Sequence, residues 1–235
     1  MLMNLAHRGA SSYAPENTLA AFYLGASMGA NGLETDLRMT KDGVPILLHD
    51  PTLDRTTNGK GRPGDYHWSE LRRLDAGSWF SDAYKGEKLV AFEDFLYYFG
   101  AKDLMLAVEL KEPHLEDAAL ELLRRYGALE KTTITSFAFE LLVETRKRHA
   151  TVKLGFLTEK ITPETVARLL EHGIGQICPR ARTLRSEDVR YAKERGLQVR
   201  AWGVPDESVM KHALACGVDG MTVNFPDLLA QAAAP

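Results

Sequence analysis

The chain has only two cysteines in 235 residues, Cys178 and Cys216. They are far apart and form no Cys-x-x-Cys motif, so a thiol redox or zinc-knuckle motif is excluded and both are expected as reduced core thiols. A dominant sign of charge is also missing. Net charge is −3 and the isoelectric point is about 6.2, whereas a nucleic-acid-binding face would be strongly basic. No run approaches the ~18 apolar residues of a membrane span. The opening Met1–Gly9 has neither the basic region nor the apolar run of a signal peptide. These absences, with 45% hydrophobic and 26% charged residues, leave an ordinary globular chain able to bury a core, expected in the cytoplasm.

What is present is a repeated alternation. Short apolar strands are read at 4–6, 32–38, 104–110, 132–135, 153–157, 176–178, 198–202 and 220–223, each followed by a helical pattern. The helices are read at 19–28, 91–99, 115–126, 139–148, 162–171, 186–195, 207–215 and 227–233. Asn17 or Thr18 can cap the first helix, and Pro163 stands at the first turn of another. Eight strand–helix units at about 25 residues each predict an α/β fold, a TIM (β/α)8 barrel over 1–235. A doubly wound sheet is the alternative, but no Gly-rich phosphate loop follows the first strand. The pattern breaks at about 51–90, a polar, turn-rich stretch with Trp68, Trp79, Phe80 and Tyr84 and a short helix at 69–74. This is expected to be a small insertion after strand two that covers the mouth of a site.

The segment Gly32–Asp50, GLETDLRMTKDGVPILLHD, carries the densest chemistry. Side chains two apart on a strand share a face, so Glu34 and Asp36 project together, into otherwise apolar surroundings. Arg38 has the same parity and is expected to pair with them. Asp42-Gly43 marks a hairpin whose return strand would bring His49 back to the level of the carboxylates. Barrel chemistry sits at the C-terminal strand ends. There the chain places His7 and Arg8, then Glu34 and Asp36, then Glu109 and Lys111, Trp202, and Asn224, with apolar residues filling the strand middles. Glu34, Asp36 and Glu109 are three hard oxygen donors suited to one divalent metal ion, Mg²⁺ or Ca²⁺. Arg8 and Lys111 suit a phosphoryl group. His7 and His49 titrate near neutrality and form the natural acid–base pair. Trp202 is either core filling or a wall for the alcohol part of a substrate. His67, His114, His149, His172 and His212 fall in loops or on helices and are expected to be structural. Together these groups make a set suited to phosphodiester cleavage.

His-Arg-Gly at 7–9, Pro-Glu-Asn-Thr at 15–18, GLETDLRMTKDGVPILLHDPTLDRTTNGKG from Gly32, VELK at 108–111, Ala201-Trp202 and the closing VDGMTVNFPD resemble the glycerophosphodiester phosphodiesterase family. That family lies within the phospholipase C-like phosphodiesterase superfamily. The resemblance implies metal-dependent hydrolysis of glycerophosphodiesters, such as glycerophosphocholine, to glycerol 3-phosphate and an alcohol. It implies His7 and His49 as general acid–base pair, Glu34, Asp36 and Glu109 as metal ligands, Arg8 and Lys111 as phosphate contacts, and Trp202 as substrate wall. The chain differs from the family pattern at Gly203-Val204-Pro205. It differs again at Cys178-Pro179-Arg180, where Arg180 and Arg182 are candidates to contact a charged head group. The expected partner is a small-molecule glycerophosphodiester, with no nucleic acid and no stable membrane insertion; a homodimer is compatible with the chain. The alternative activity is a phospholipase C- or D-like phosphodiesterase acting on a lipid or lysolipid. A non-catalytic binding module would lack His7 or His49, and both are present.

Overall fold

The computed structural model describes residues 1–233; the last two residues of the span expected as one barrel lie outside it. Nine strands follow in chain order: β1 (Met3–His7), β2 (Gly32–Met39), β3 (Pro45–Leu47), β4 (Met105–Leu110), β5 (Thr132–Ser136), β6 (Lys153–Thr158), β7 (Gln176–Pro179), β8 (Gln198–Val204) and β9 (Gly220–Val223). The sheet runs β1-β9-β8-β7-β6-β5-β4-β2, and β1 also pairs with β2, so eight parallel strands close into a ring. β3 joins β2 antiparallel, outside that ring. This is a TIM barrel with an insertion after its second strand.

Two glycines let β1 fit between its neighbours. A Cβ on Gly32 of β2 would stand 2.1 Å from a Leu5 methyl, and one on Gly220 of β9 would stand 2.2 Å from Met3 Cβ. The helices α1 (Leu19–Ser27), α3 (Phe92–Phe99), α4 (Glu116–Arg125), α5 (Phe139–Arg148), α6 (Pro163–Glu171), α7 (Ser186–Glu194), α8 (Glu207–Ala215) and α9 (Pro226–Ala232) pack outside the ring. α1 starts where the Thr18 hydroxyl accepts the Ala21 N–H at 3.3 Å, so Thr18 and not Asn17 is the cap. The core lies between ring and helices, built from outward-facing strand residues such as Leu33, Leu37, Leu106, Val108 and Ile177 and from the inner faces of the helices.

The expectation that apolar residues fill the strand middles holds on that outward side and fails on the inward one. Arg200, in the middle of β8 and 1% exposed, donates to Gln176 Oε1 at 3.0 Å and to Thr222 Oγ1, and lies 3.4 Å from Cys178 Sγ. The lumen beneath the site is therefore polar and hydrogen-bonded, while the apolar half of each strand's alternation faces the helices.

Between β2 and α3 the chain makes β3, the short helix α2 (Trp68–Leu71) and two single 3₁₀ turns. It has a small core of its own: Ile46, Leu48, Leu53, Leu71, Ala76 and Leu89. That cluster is what lets a turn-rich segment hold one shape beside the barrel mouth. No helix of the described residues is long and apolar enough to cross a membrane.

Candidate active site

Strand register assembles the acidic centre. β4 pairs with β2 so that Glu109 stands opposite Asp36, while Glu34 lies two residues back on the same inward face. Ligand oxygens of Glu34, Asp36 and Glu109 all lie within 4.8 Å of one another, and all three residues are buried. Three carboxylates this close, away from water, resist ionising together. Burial first, then the neighbouring Asp36 charge, pushes Glu34 up to about 8 and Glu109 up to about 7. Burial acts against ionised Asp36 too, but the Arg8 and Lys111 charges outweigh it and hold its carboxyl below the usual carboxylate range.

The surroundings are not apolar, as the sequence had suggested, but crowded with polar partners. Lys111 Nζ is 2.8 Å from Glu109 Oε1 and 3.5 Å from Asp36 Oδ1. Asn17 donates to Asp36 Oδ2 at 3.1 Å, and its own carbonyl accepts from Thr35 Oγ1 at 2.9 Å. Arg8 Nε lies 3.0 Å from Asp36 Oδ2. Arg8 Nε and Asp36 Oδ1 nevertheless have no hydrogen-bond partner among the described residues. Buried orphan atoms of this kind cost free energy unless a ligand meets them. An all-oxygen donor set with an unmet carboxylate oxygen fits a hard divalent cation.

Arg8 and Asn17 share a further feature. Both have left-handed backbone, with φ of 56° and 57°, a conformation that costs about 1 kcal/mol or more for a residue with a side chain. Asn17 N–H bonds to Arg8 C=O at 2.9 Å, and Arg8 N–H bonds to Glu34 C=O at 2.9 Å. The two strained residues are thus clamped to each other and to β2, which turns both side chains toward Asp36.

The hairpin return places His49 as expected: Leu48 N–H donates to Asp36 C=O at 3.1 Å. Arg38 then corrects the sequence expectation. It does not pair with Glu34 or Asp36. Its Nη1 is 3.0 Å from Glu112 Oε2, and its other nitrogens donate to His49 C=O at 3.2 and 2.9 Å. One inward position further along β2 already lies at the rim, where Glu112 follows β4.

Each histidine is held through Nδ1. His7 donates from Nδ1 to Asn224 Oδ1 at 2.6 Å, which leaves Nε2, 3.9 Å from Glu34 Oε2, as the free nitrogen. His49 Nδ1 is 2.7 Å from Asp50 Oδ1, which likewise frees its Nε2. Burial, then Arg8, lowers His7 to about 4. Burial also lowers His49, with Asp36 and Asp50 pulling the other way.

His7, Arg8, Glu34, His49, Glu109 and Trp202 line one cavity of 410 Å³. Asp36 and Lys111 sit behind that lining; the Lys111 ammonium meets Glu109 and Asp36. Trp202 stands on the cavity wall, its Nε1–H on Thr158 C=O at 3.0 Å and its ring edge-on to Phe137 at 5.0 Å. The five remaining histidines lie outside this lining, and Cys178 and Cys216 are buried free thiols.

Sequence reasoning missed a supporting ring. Glu16 Oε1 accepts from Arg8 at 2.9 Å. Arg55, from the insertion, reaches both Glu16 (2.8 and 2.8 Å) and Asp50 (2.6 and 3.0 Å). One guanidinium therefore ties the carboxylate behind Arg8 to the carboxylate behind His49. The His49-Asp50 dipeptide carried a signal for half of this; nothing local marked Arg55 or Arg200.

Three comparisons bear on the chain. The model of the "Glycerophosphoryl diester phosphodiesterase family" matches residues 7–228. A glycerophosphodiester phosphodiesterase of Caldanaerobacter subterraneus is 32% identical over 230 residues, 96% of this chain and 95% of that protein. One of Bacillus subtilis is 33% identical over 250 residues, 97% of this chain and 85% of that protein. Among solved structures, an Oleispira antarctica phosphodiesterase in complex with the product sn-glycerol-3-phosphate superposes with a TM-score of 0.89 at 29% identity, covering 97% of this chain and 94% of that one.

Proposed function

The chain belongs to the glycerophosphoryl diester phosphodiesterase family, and from that premise we propose that it hydrolyses glycerophosphodiesters to sn-glycerol 3-phosphate and an alcohol. In this reading Glu34, Asp36 and Glu109 hold one divalent metal ion, Mg²⁺ or Ca²⁺, and His7 and His49 move the protons. The observation that carries the reading is a juxtaposition. Three buried carboxylates converge within 4.8 Å beside two histidines that line the same cavity, each with Nδ1 fixed and Nε2 free.

When bound, the ion supplies a Lewis-acid charge against the phosphoryl oxygens. The chain's own residues do the rest. Arg8 brings its guanidinium beside Asp36 at the cavity floor, where it adds positive charge for the phosphoryl group. Lys111 balances Glu109 and Asp36 from behind. His7, held by the neutral amide of Asn224 and lowered to about 4, is unprotonated near neutrality and takes a proton from the attacking water, whose oxygen forms the new bond to phosphorus. Burial lowers His49 and the Asp50 hydrogen bond works against that shift; with Nδ1 fixed by Asp50, His49 gives its Nε2 proton to the leaving alcohol oxygen as the P–O bond breaks. Trp202 and Phe137 form the apolar wall against the organic part of the substrate. The buried free thiols support a reducing, cytoplasmic setting for this chemistry.

The test is an assay of chelator-stripped protein on glycerophosphoethanolamine and glycerophosphocholine, with Mg²⁺ or Ca²⁺ returned and glycerol 3-phosphate measured. Metal-dependent product is expected. Full activity in the stripped protein would remove the metal from the reading, and no product under any condition would remove the reaction.

A further inference from the structure

The cavity does not end at the acidic centre. In the eight-strand ring β7 lies four places from β2 in either direction, diametrically across from the strand that carries Glu34 and Asp36. The cavity reaches that far side, where its lining is Phe137, Trp202, Pro205, Arg180 and Arg182. Two cations and two aromatic rings there have no part in the proton transfers or the metal site.

Arg180 is built into its place. It extends β7 and bridges to Trp202 on β8, and its N–H donates to Thr158 C=O at 3.1 Å. The same carbonyl accepts the Trp202 indole N–H at 3.0 Å. One backbone oxygen thus fixes both residues. The Arg180 guanidinium lies over the Trp202 ring, 4.7 Å from its centroid, while Phe137 closes on the indole edge-on. The ion pair of Arg180 runs through Nε, 2.9 Å from Glu159 Oε2, between side chains 44% and 63% exposed. An exposed pair of this kind contributes little stability, and because it engages Nε it leaves the two terminal nitrogens for a ligand. Arg182, 63% exposed, stands 4.0 Å from Asp206. Glu159 and Asp206 are the acids paired with these two arginines.

This arrangement speaks to the alcohol half of the substrate. A quaternary ammonium is recognised by the open face of an aromatic ring. Here the cavity has the aromatic wall, but a guanidinium already covers the ring of Trp202, and a second arginine stands beside it. A cationic head group would meet like charge at both. A carboxylate or phosphate on the head group would meet the planar fork of Arg180, held rigid by stacking.

We propose that the β7 side of the cavity is a head-group subsite for anionic alcohols, with Arg180 stacked on Trp202 as its specificity-determining residue. The inference rests on the diesterase reading and refines its substrate class. Glycerophosphoserine and glycerophosphoethanolamine provide the matched probe, because they differ by one carboxylate. Glycerophosphocholine adds three methyl groups to the same ammonium.

The experiment measures kcat/KM for these three diesters in wild type, Arg180→Ala, Arg180→Glu and Arg182→Ala, with saturating Mg²⁺ and separately with saturating Ca²⁺. Wild type is expected to favour serine over ethanolamine by about fivefold, the scale of one partly exposed charge pair, and to use choline least. Arg180→Ala brings the serine-to-ethanolamine ratio toward one and raises choline relative to ethanolamine, because the Trp202 face is freed. Arg180→Glu inverts the serine preference, and Arg182→Ala shifts it in the same direction by less. Comparing ratios within one variant removes any general loss of activity. Head-group ratios unchanged in both Arg180 variants, or all three substrates lost in equal proportion, would overturn the subsite. No glycerol 3-phosphate from any of the three with wild type would instead overturn the diesterase reading beneath it.

Discussion

Removing Arg55 separates two ideas about the insertion, that it is a passive cover or that it braces the catalytic groups. The Arg55 guanidinium makes four hydrogen bonds of 2.6 to 3.0 Å to Glu16 and Asp50, and it stands 5.9 Å from the Trp79 ring. Its side chain is 42% exposed, whereas Glu16 is 12% and Asp50 24% exposed. Charged hydrogen bonds contribute about 1.5–3 kcal/mol each when buried and far less when exposed. Because Glu16 keeps Arg8 and Asp50 keeps His49, Arg55→Ala is expected to cost about 1–2 kcal/mol in all. For a chain of this size that is a fall of roughly 2–8 °C in Tm. The effect on catalysis is larger than the effect on stability. His49 and Arg8 each lose the support behind their partner, and a misplacement of about 1 Å costs on the order of 10²-fold in rate. The assay is kcat and KM on glycerophosphoethanolamine across pH. The Arg55 hydrogen bond is the first cause holding Asp50 low. Without it Asp50 stays ionised at neutral pH but is no longer neutralised, so it favours protonated His49 more strongly. The limb of the profile that reports His49 should therefore move to higher pH. Arg55→Lys is not expected to rescue, since an ammonium cannot span two carboxylates as a fork does. Wild-type kcat/KM and an unmoved profile in Arg55→Ala would refute the bracing role.

Three further outcomes are expected. His49→Ala should fold, bind Mg²⁺ normally in calorimetry and lose on the order of 10²-fold or more in kcat; retained turnover would remove His49 from the proton path. Glu34→Ala should abolish the stabilisation that Mg²⁺ gives wild type, about 2.7 kcal/mol at a hundred times Kd and read as a rise in Tm; an undiminished rise would show that the ion is held elsewhere. Asp75, in the insertion, accepts backbone N–H groups from Ser78, Gly86 and Gly77 at 2.7, 2.7 and 2.9 Å, and these bonds, Ser78 first, hold its carboxyl below the usual range. A lowered folded-state value means a stabilisation present above the unfolded value of about 3.9 and lost as pH falls through the folded one. Asp75→Asn should therefore lower Tm at pH 7, with the gap between the two variants narrowing steadily as pH falls below about 4; a gap independent of pH would show that the carboxylate charge is not what stabilises that turn.

How much of this was legible in the sequence depends on the range of the interaction involved. The strand–helix alternation, the paired parity of Glu34 and Asp36 and the hairpin that returns His49 are local patterns, and the fold follows them closely. Ring closure is not local, and it decides what parity leaves open. Gln198, Arg200 and Trp202 alternate with Val199 and Ala201 on β8, and the chain alone does not say which set faces the lumen. Closure turns the polar set inward, so Arg200 is buried against Gln176, Thr222 and Cys178, and strand middles expected to be apolar are polar on one side. Arg38 shows the same limit. Its parity matches Asp36, but the end of the barrel intervenes and Glu112 takes it instead.

Arg55 has no period to betray it, because its position is set by the small apolar cluster beneath the insertion rather than by a repeating backbone. That cluster explains why a polar loop can carry a precise ionic brace: six buried apolar side chains fix the loop, and the loop then delivers one guanidinium to two carboxylates. The same logic holds across the barrel, where the Thr158 carbonyl fixes Arg180 and Trp202 together. The groups proposed for the acidic centre could be picked out by residue type alone, as carboxylates, histidines and an arginine at strand ends. The groups that position them and distinguish one alcohol from another act through backbone contacts between distant segments. They become visible only when the ring is closed.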